Sequence, residues 1–371
     1  MKRILVAYVT KNKNSGINKY VYNFANVIQN NYKDIKFDFL TSDSDAEFKE
    51  FIEGRYGKLF VIPSLRKPIK RYKEIKKIIR QNNYDIVYIN ISEAFNICTA
   101  LAAKKTGIKK IVIHSHSSGP SGNNFIIKSA RILINLLFKK LICNCGSVFL
   151  ACSRKAGLWM FNNKIVNSNK YHTINNTIDI SKYKYDADIR RKYRDKYKIK
   201  ENDIVIGNIG NFSPAKNQIF LLKILEKLEK KDNFKVMLVG SGKLKQEFNE
   251  YIKRKKIEDK VIFTGSIDNV NQVIQAMDIF AFPSVVEGFG IAALEAQAAG
   301  VYTILSENVP DDVIVSNNTI KLPLDEKKWI SYIMQIKENP IKNVCLMDRI
   351  YEFDNSNIKQ YKYIVGGNTD E

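Results

Sequence analysis

The sequence predicts an α/β protein built from two doubly wound, parallel-sheet domains facing a cleft, and three observations carry that prediction. The chain has 371 residues, more than one hydrophobic core usually serves, and 45% of them are apolar, enough for two cores. Short apolar runs alternate with longer stretches of helical pattern, the signature of a parallel sheet flanked by helices. The alternation runs through the first half and restarts after Tyr183, beyond a charged stretch from Arg190 to Lys198.

In the first half the runs expected as strands are Ile4 to Val9, Lys36 to Leu40, Ile86 to Asn90, Lys110 to His114 and Ser147 to Ala151, with a helix over Asn18 to Gln29. In the second half they are Ile204 to Ile209, Val236 to Val239, Lys260 to Phe263, Ile279 to Phe282 and Tyr302 to Leu305. The boundary belongs between Ser181 and Asp203, and we draw it as domains 1–185 and 186–350.

Composition excludes several classes. The apolar stretch Ile4 to Val9 is too short for a signal peptide, and no run reaches transmembrane length. The five cysteines are odd in number and lack paired zinc spacing, which favours reduced thiols in a cytoplasmic protein. With three histidines in the chain, a multi-histidine metal site is not expected. The net charge of +22 is lopsided: residues 1–180 hold 30 Lys and Arg against 11 Asp and Glu, a net of +19, leaving 30 against 27 for the remainder. A generally Lys-rich genome would load both halves, so the asymmetry points to an anionic partner on the first domain, a membrane surface or nucleic acid.

Ligands of doubly wound sheets lie at the carboxyl ends of the strands, so the informative segments are the loops just after them. After the run ending at Phe282 comes Pro283-Ser284-Val285-Val286-Glu287-Gly288-Phe289-Gly290, then the Ala-rich helix former Ile291 to Ala299, stopped by Gly300. Unpaired amides and a positive helix end meet in that loop, a place for phosphate, with Glu287 beside it and Glu295 about two turns further on.

This E-x7-E arrangement resembles the signature of family 4 retaining nucleotide-sugar glycosyltransferases, whose two Rossmann-like domains form the GT-B fold. The resemblance implies donor-sugar hydroxyls at Glu287, diphosphate at the amides of Gly288, Phe289, Gly290 and Ile291, and ribose at Glu295. The family pattern Gly-Arg, short loop, Lys appears as Gly210-Asn211 and Lys216, which gives Lys216 to the diphosphate and puts Asn211 where an arginine is usual. Gly16, after the first strand, is a donor-side candidate of the same kind, although a glycine there is more often simply a turn.

Similar family members carry a His-Ser-His run at the strand end where this chain has His114-Ser115-His116. His116 is the candidate to hydrogen-bond the donor sugar or an acceptor hydroxyl, with His114 the alternative. The analogy also makes residues 351–371 a C-terminal segment whose helix, Asn357 to Val365, crosses back onto the first domain.

The implied activity is retaining, metal-independent transfer of a hexosyl unit from a nucleotide sugar, most simply a UDP-sugar, with no cofactor. The acceptor is a glycan or lipid-linked glycan of cell-surface polysaccharide synthesis, at the inner face of the membrane. Lys128, Arg131, Lys139 and Lys140, set in the very apolar stretch Phe125 to Lys140, are the candidate membrane and acceptor-side cations. An ordinary core helix with a solvated basic edge is the alternative for that stretch.

Rival readings are a non-catalytic paralogue, a nucleic-acid binder and a sugar-nucleotide epimerase. No nucleic-acid motif accompanies the charge, so no nucleic-acid partner is expected. Asp43-Ser44-Asp45 and Asp186-Ala187-Asp188 have the spacing of a metal-binding pair but fall in polar stretches, and they read as surface loops.

Overall fold

A computed structural model describes residues 2–11, 16–120, 125–228, 233–338 and 353–366, and divides them into two compact units. Unit 1 takes in residues up to 176 together with 353–366; unit 2 spans 177–338. The division falls after Asn176, ahead of the residue 185 drawn from the sequence. The intervening segment is fastened within unit 2, where Gln275 Nε2 donates to the carbonyls of Tyr183 (3.4 Å) and Lys184 (3.1 Å).

Unit 1 holds seven parallel strands: β1 (Lys2–Val9), β2 (Ile35–Thr41), β3 (Leu59–Val61), β4 (Ile86–Ile91), β5 (Lys110–Ser115), β6 (Val148–Ala151) and β7 (Tyr171–Thr173). Their order across the sheet is β3-β2-β1-β4-β5-β6-β7. Unit 2 holds β8 (Ile204–Ile209), β9 (Phe234–Val239), β10 (Val261–Gly265), β11 (Ile279–Phe282), β12 (Tyr302–Ser306) and β13 (Thr319–Leu322). Their order, β10-β9-β8-β11-β12-β13, repeats the same winding. The expected fold class is therefore present twice, and in each sheet the chain reverses its direction of travel between two central strands, β1 and β4 or β8 and β11.

Alternation along β1 explains why unit 1 has two cores. Leu5 and Ala7 join Val87, Ile89, Ile111 and Ile113 on one face, while Ile4 and Val6 join Phe37, Tyr88 and Val112 on the other. All six residues of β4 are buried, as a strand covered on both faces requires. In unit 2, Ile206, Val236, Leu238, Ile279 and Ile304 form a core with Phe220 and Trp329, whose rings meet edge to face at 5.2 Å.

Two polar devices fix the ends of elements. The helix Ala187–Lys196 is held to the start of β11 by Arg194, which donates to Asp278 Oδ2 (3.3 Å) and to the carbonyls of Lys200 (2.7 Å), Asp203 (2.8 Å) and Ala276 (3.3 Å). Arg190 binds the other oxygen of Asp278 at 2.6 Å. The C-terminal helix, Phe353–Val365, lies in unit 1 against the helix Gly16–Asn31, with Tyr361 stacked on Tyr32 at 4.0 Å.

Candidate active site

The loops that follow β8 and β11 leave the two strands flanking the reversal point of the second sheet. They are stitched together by backbone and side chain. The amide of Val285 donates to the carbonyl of Ala215 (2.8 Å), and Asn217 Nδ2 donates to the carbonyl of Pro283 (3.2 Å). Ser306 on β12 donates to the carbonyl of Ser284. A third loop, after β9, closes against the first: Phe212 N–H donates to Ser241 O at 2.8 Å, and a Cβ on Gly240 would stand 2.1 Å from the carbonyl oxygen of Gly210. Only glycine permits that approach.

Lys216 and Glu287 meet in this frame as an ion pair through Nζ and Oε2. Both are largely shielded, with side-chain exposures of 23% and 15%, and the ammonium also lies 4.6 Å from the centroid of the Phe282 ring. The sequence assigned these residues separate tasks; the structure joins them. Gly290 turns the loop into the helix Ile291–Ala298 at φ 103°, a conformation that suits glycine, and Gly288 and Phe289 are buried beside it. At the far end Gly300, at φ 73°, donates to the Gln297 carbonyl while Val301 donates to that of Ala296, the paired bonds of a left-handed helix stop.

Glu295 projects from the buried part of that helix, and the hydroxyl of Tyr183 donates to its Oε1 at 2.7 Å. Burial, then the Glu295 charge, pushes the Tyr183 phenol up, so it stays protonated and a donor. The sequence reading missed Tyr183 because it lies in a polar connection with no motif around it. Asn211 is exposed, and its carbonyl accepts from Gln218 Nε2 at 3.2 Å.

In unit 1 the two histidines after β5 behave differently. His114 is wholly buried, with Nδ1 2.7 Å from the hydroxyl of Tyr88. That hydroxyl accepts from Gln360 Nε2 (2.8 Å), whose Oε1 accepts from Tyr20 (2.5 Å), so the C-terminal helix reaches the strand end through one chain of hydrogen bonds. His116 is partly exposed, stacks on His114 at 4.2 Å, and places Nε2 2.9 Å from Asn90 Oδ1. The Asn90 amide nitrogen is turned to the Ala7 carbonyl (3.4 Å), so Nε2 of His116 carries the proton and Nδ1 keeps a lone pair.

Desolvation pushes the pKa of His116 down to about 3 and that of His114 well below its ordinary value, so both rings favour the neutral form. Because the unfolded chain takes up these protons near pH 6.5, stability from the neutral rings is fully present above that pH and is lost as pH falls toward 3. We expect the melting temperature to drop between pH 7 and pH 5. Thermal unfolding across that interval should show a shallower slope for His116→Asn than for the parent.

The other candidates are placed as follows. Gly16 opens its helix with no atom within 4 Å of an added Cβ; Asn14 and Ser15 of its loop lie outside the described residues. The two Asp-x-Asp strings sit at helix starts, where Asp45 accepts from the Phe48 amide and Asp186 from those of Asp188 and Ile189. Among the described residues no three His, Cys, Asp or Glu side chains are grouped as a metal would need. Of the four basic candidates on the helix Phe125–Cys143, only Lys140 is exposed. Lys128 is half-buried, Arg131 pairs with Glu93 at 3.2 Å, and Lys139 donates to the Leu158 carbonyl at 2.6 Å.

Comparison with known proteins accounts for this architecture. Residues 14–182 match Glycosyltransferase Family 4 and residues 189–350 match Glycosyl transferases group 1. The chain belongs to the glycosyltransferases of the GT-B fold, carrying those two domains in that order. Among curated relatives, EpsF of Bacillus subtilis is 27% identical over 285 residues, covering 75% of this chain and 73% of its own. An Escherichia coli UDP-Gal:alpha-D-GlcNAc-diphosphoundecaprenol alpha-1,3-galactosyltransferase is 23% identical over 308 residues, 77% of this chain and 76% of its own. The crystal structure of Anabaena HepE in complex with UDP and glucose superposes with a TM-score of 0.74 at 18% identity, covering 98% of this chain and 95% of that one.

Proposed function

We propose that this glycosyltransferase moves a hexosyl unit, with retention at the anomeric carbon, from a UDP-sugar to a glycan or lipid-linked glycan acceptor in bacterial cell-surface polysaccharide synthesis. The observation that carries the reading is the Lys216–Glu287 pair, held at the reversal point of the second sheet beside the start of a buried helix. A diphosphate entering there meets the ammonium of Lys216 and the amides from Gly288 to Ile291, and Glu287, released from its ion pair, accepts from donor-sugar hydroxyls. Glu295, oriented by Tyr183, takes the ribose hydroxyls. The bond from the anomeric carbon to the diphosphate oxygen breaks, the acceptor oxygen takes that carbon on the same face, and the acceptor proton leaves with the diphosphate. Positioning and charge stabilisation supply the rate, and no resident metal or cofactor is invoked.

Support for the donor and acceptor classes comes from relatives. HepE has been crystallised with UDP-glucose, the Escherichia coli relative is named for UDP-Gal and a diphosphoundecaprenol-linked acceptor, and CapH of Staphylococcus aureus is named for capsular polysaccharide biosynthesis. A lipid-linked acceptor carries with it a peripheral location on the inner face of the membrane. The test is a screen of nucleotide sugars by thermal stabilisation, followed by the anomeric configuration of the product. A UDP-sugar should raise the melting temperature by mass action and yield a product of unchanged configuration. An inverted product would overturn the mechanism, and no response to any nucleotide sugar would overturn the donor assignment.

Asn211 supplies a sharper prediction. An arginine at this exposed position would add a charge-assisted, two-pronged contact to the diphosphate, worth about 1.5–3 kcal/mol. Asn211→Arg should therefore tighten UDP about tenfold or more in calorimetry. Unchanged affinity would mean that another cation already serves the phosphate, and the role given to this loop position would be withdrawn.

A further inference from the structure

We infer that the helix Phe125–Cys143 is a bilayer-seated element that holds unit 1 on an anionic membrane by its apolar outer face. The helix is inside out. Its inward stripe runs Lys128, Arg131, Asn135, Phe138 and Ile142, at helical spacing, and the first three are polar. Asn135 is 1% exposed, accepts from the Ala94 amide at 2.6 Å and donates to the Trp159 carbonyl at 2.9 Å, while Arg131 reaches Glu93. Hydrogen bonds thus anchor the inner side where a globular helix would use leucines.

The leucines and isoleucines point outward instead. Ile126 is 74% exposed, Leu137 66%, Leu133 61% and Leu136 57%, with Ile127, Ile132, Ile134 and Leu141 also exposed. Leu158 extends the patch from the neighbouring helix Arg154–Met160, joined to it by the Lys139 bond to its carbonyl. A contiguous apolar surface of this kind is not left in water by a soluble monomer.

Shape and charge choose the occupant. Apolar side chains are exposed around more than half the helix, as on a ridge, and a ridge asks a protein partner for a matching groove while a bilayer accepts it at any rotation. The helix contains no Asp or Glu, and exposed Lys140, Arg154 and Lys155 border the patch, in the half of the chain with a net charge of +19 from 30 basic and 11 acidic residues. No helix among the described residues is long and apolar enough to cross a membrane, so this one lies along the surface. Its 19 residues extend about 28 Å in that plane.

The inference supports a lipid-linked acceptor but rests on unit 1 alone, so its test is independent of the donor site. Full-length protein is sedimented with phosphatidylcholine vesicles, with and without phosphatidylglycerol. Binding should require the anionic lipid for capture and fall about tenfold or more in Leu133→Asp plus Leu137→Asp, two exposed positions whose change leaves the melting temperature unaltered. Lys140→Glu should weaken binding mainly at low salt. Indifference of the double variant, or failure of the parent to bind either vesicle, overturns the proposal. So does a self-association of the parent that the double variant abolishes, since that assigns the ridge to a second copy of the chain. UDP calorimetry on the same variants should be unchanged, which separates this result from any failure of the donor assignment.

Discussion

Glu287→Gln is expected to lower turnover by about 10²–10³-fold with little change in folding, and Lys216→Ala to do the same. The amide keeps the volume of the carboxylate but removes the charge that holds Lys216, so each substitution disturbs both partners of one ion pair. The double variant should consequently lose hardly more than either single one, because residues that act as a unit are not additive. Steady-state transfer from an identified donor measures all three. Full turnover by both single variants would remove the site from this pair of loops. Losses that simply multiply would mean that the ion pair is incidental to the reaction.

The second large effect concerns folding. Arg194 is 7% exposed and serves Asp278 together with four carbonyl groups, those of Lys200, Glu201, Asp203 and Ala276, that connect the helix Ala187–Lys196, the entry to β8 and the entry to β11. Arg194→Ala leaves those acceptors without their common donor and opens a void, so we expect it to destabilise unit 2 by about 3–5 kcal/mol. Urea titration should show an earlier midpoint at similar slope. A shift of under about 1 kcal/mol would mean that Arg190, already on Asp278, takes over the carboxylate and that water satisfies the carbonyls.

Both effects depend on features that were unequally legible in the sequence. The run Ile279–Phe282 coincides with β11, since a strand covered on both faces reads as a plain apolar run. β3, β7 and β13 were missed; each is three or four residues long and pairs on one side only, so the sequence carries little pattern for them. Lys216 and Glu287 were each legible from motif and spacing. Their pairing was not, because 71 positions separate them and loop geometry alone joins them. The helix Phe125–Cys143 kept two readings in the sequence, membrane-side or core, because periodicity locates an apolar stripe but not the direction in which it faces.

The chain of contacts from Gln360 to Tyr88 and His114 has a consequence for biosynthesis. A ribosome releases the residues of unit 2 before it releases Gln360, so the second sheet can close while the first still lacks a piece. Until the last helix emerges, the helix Gly16–Asn31 lacks the neighbour that packs against it, and His114 waits for the support that Tyr88 receives from Gln360. The unit synthesised first is therefore completed last, and a nascent chain stalled before residue 353 carries a second unit with its sheet complete and a first unit that still lacks its last helix.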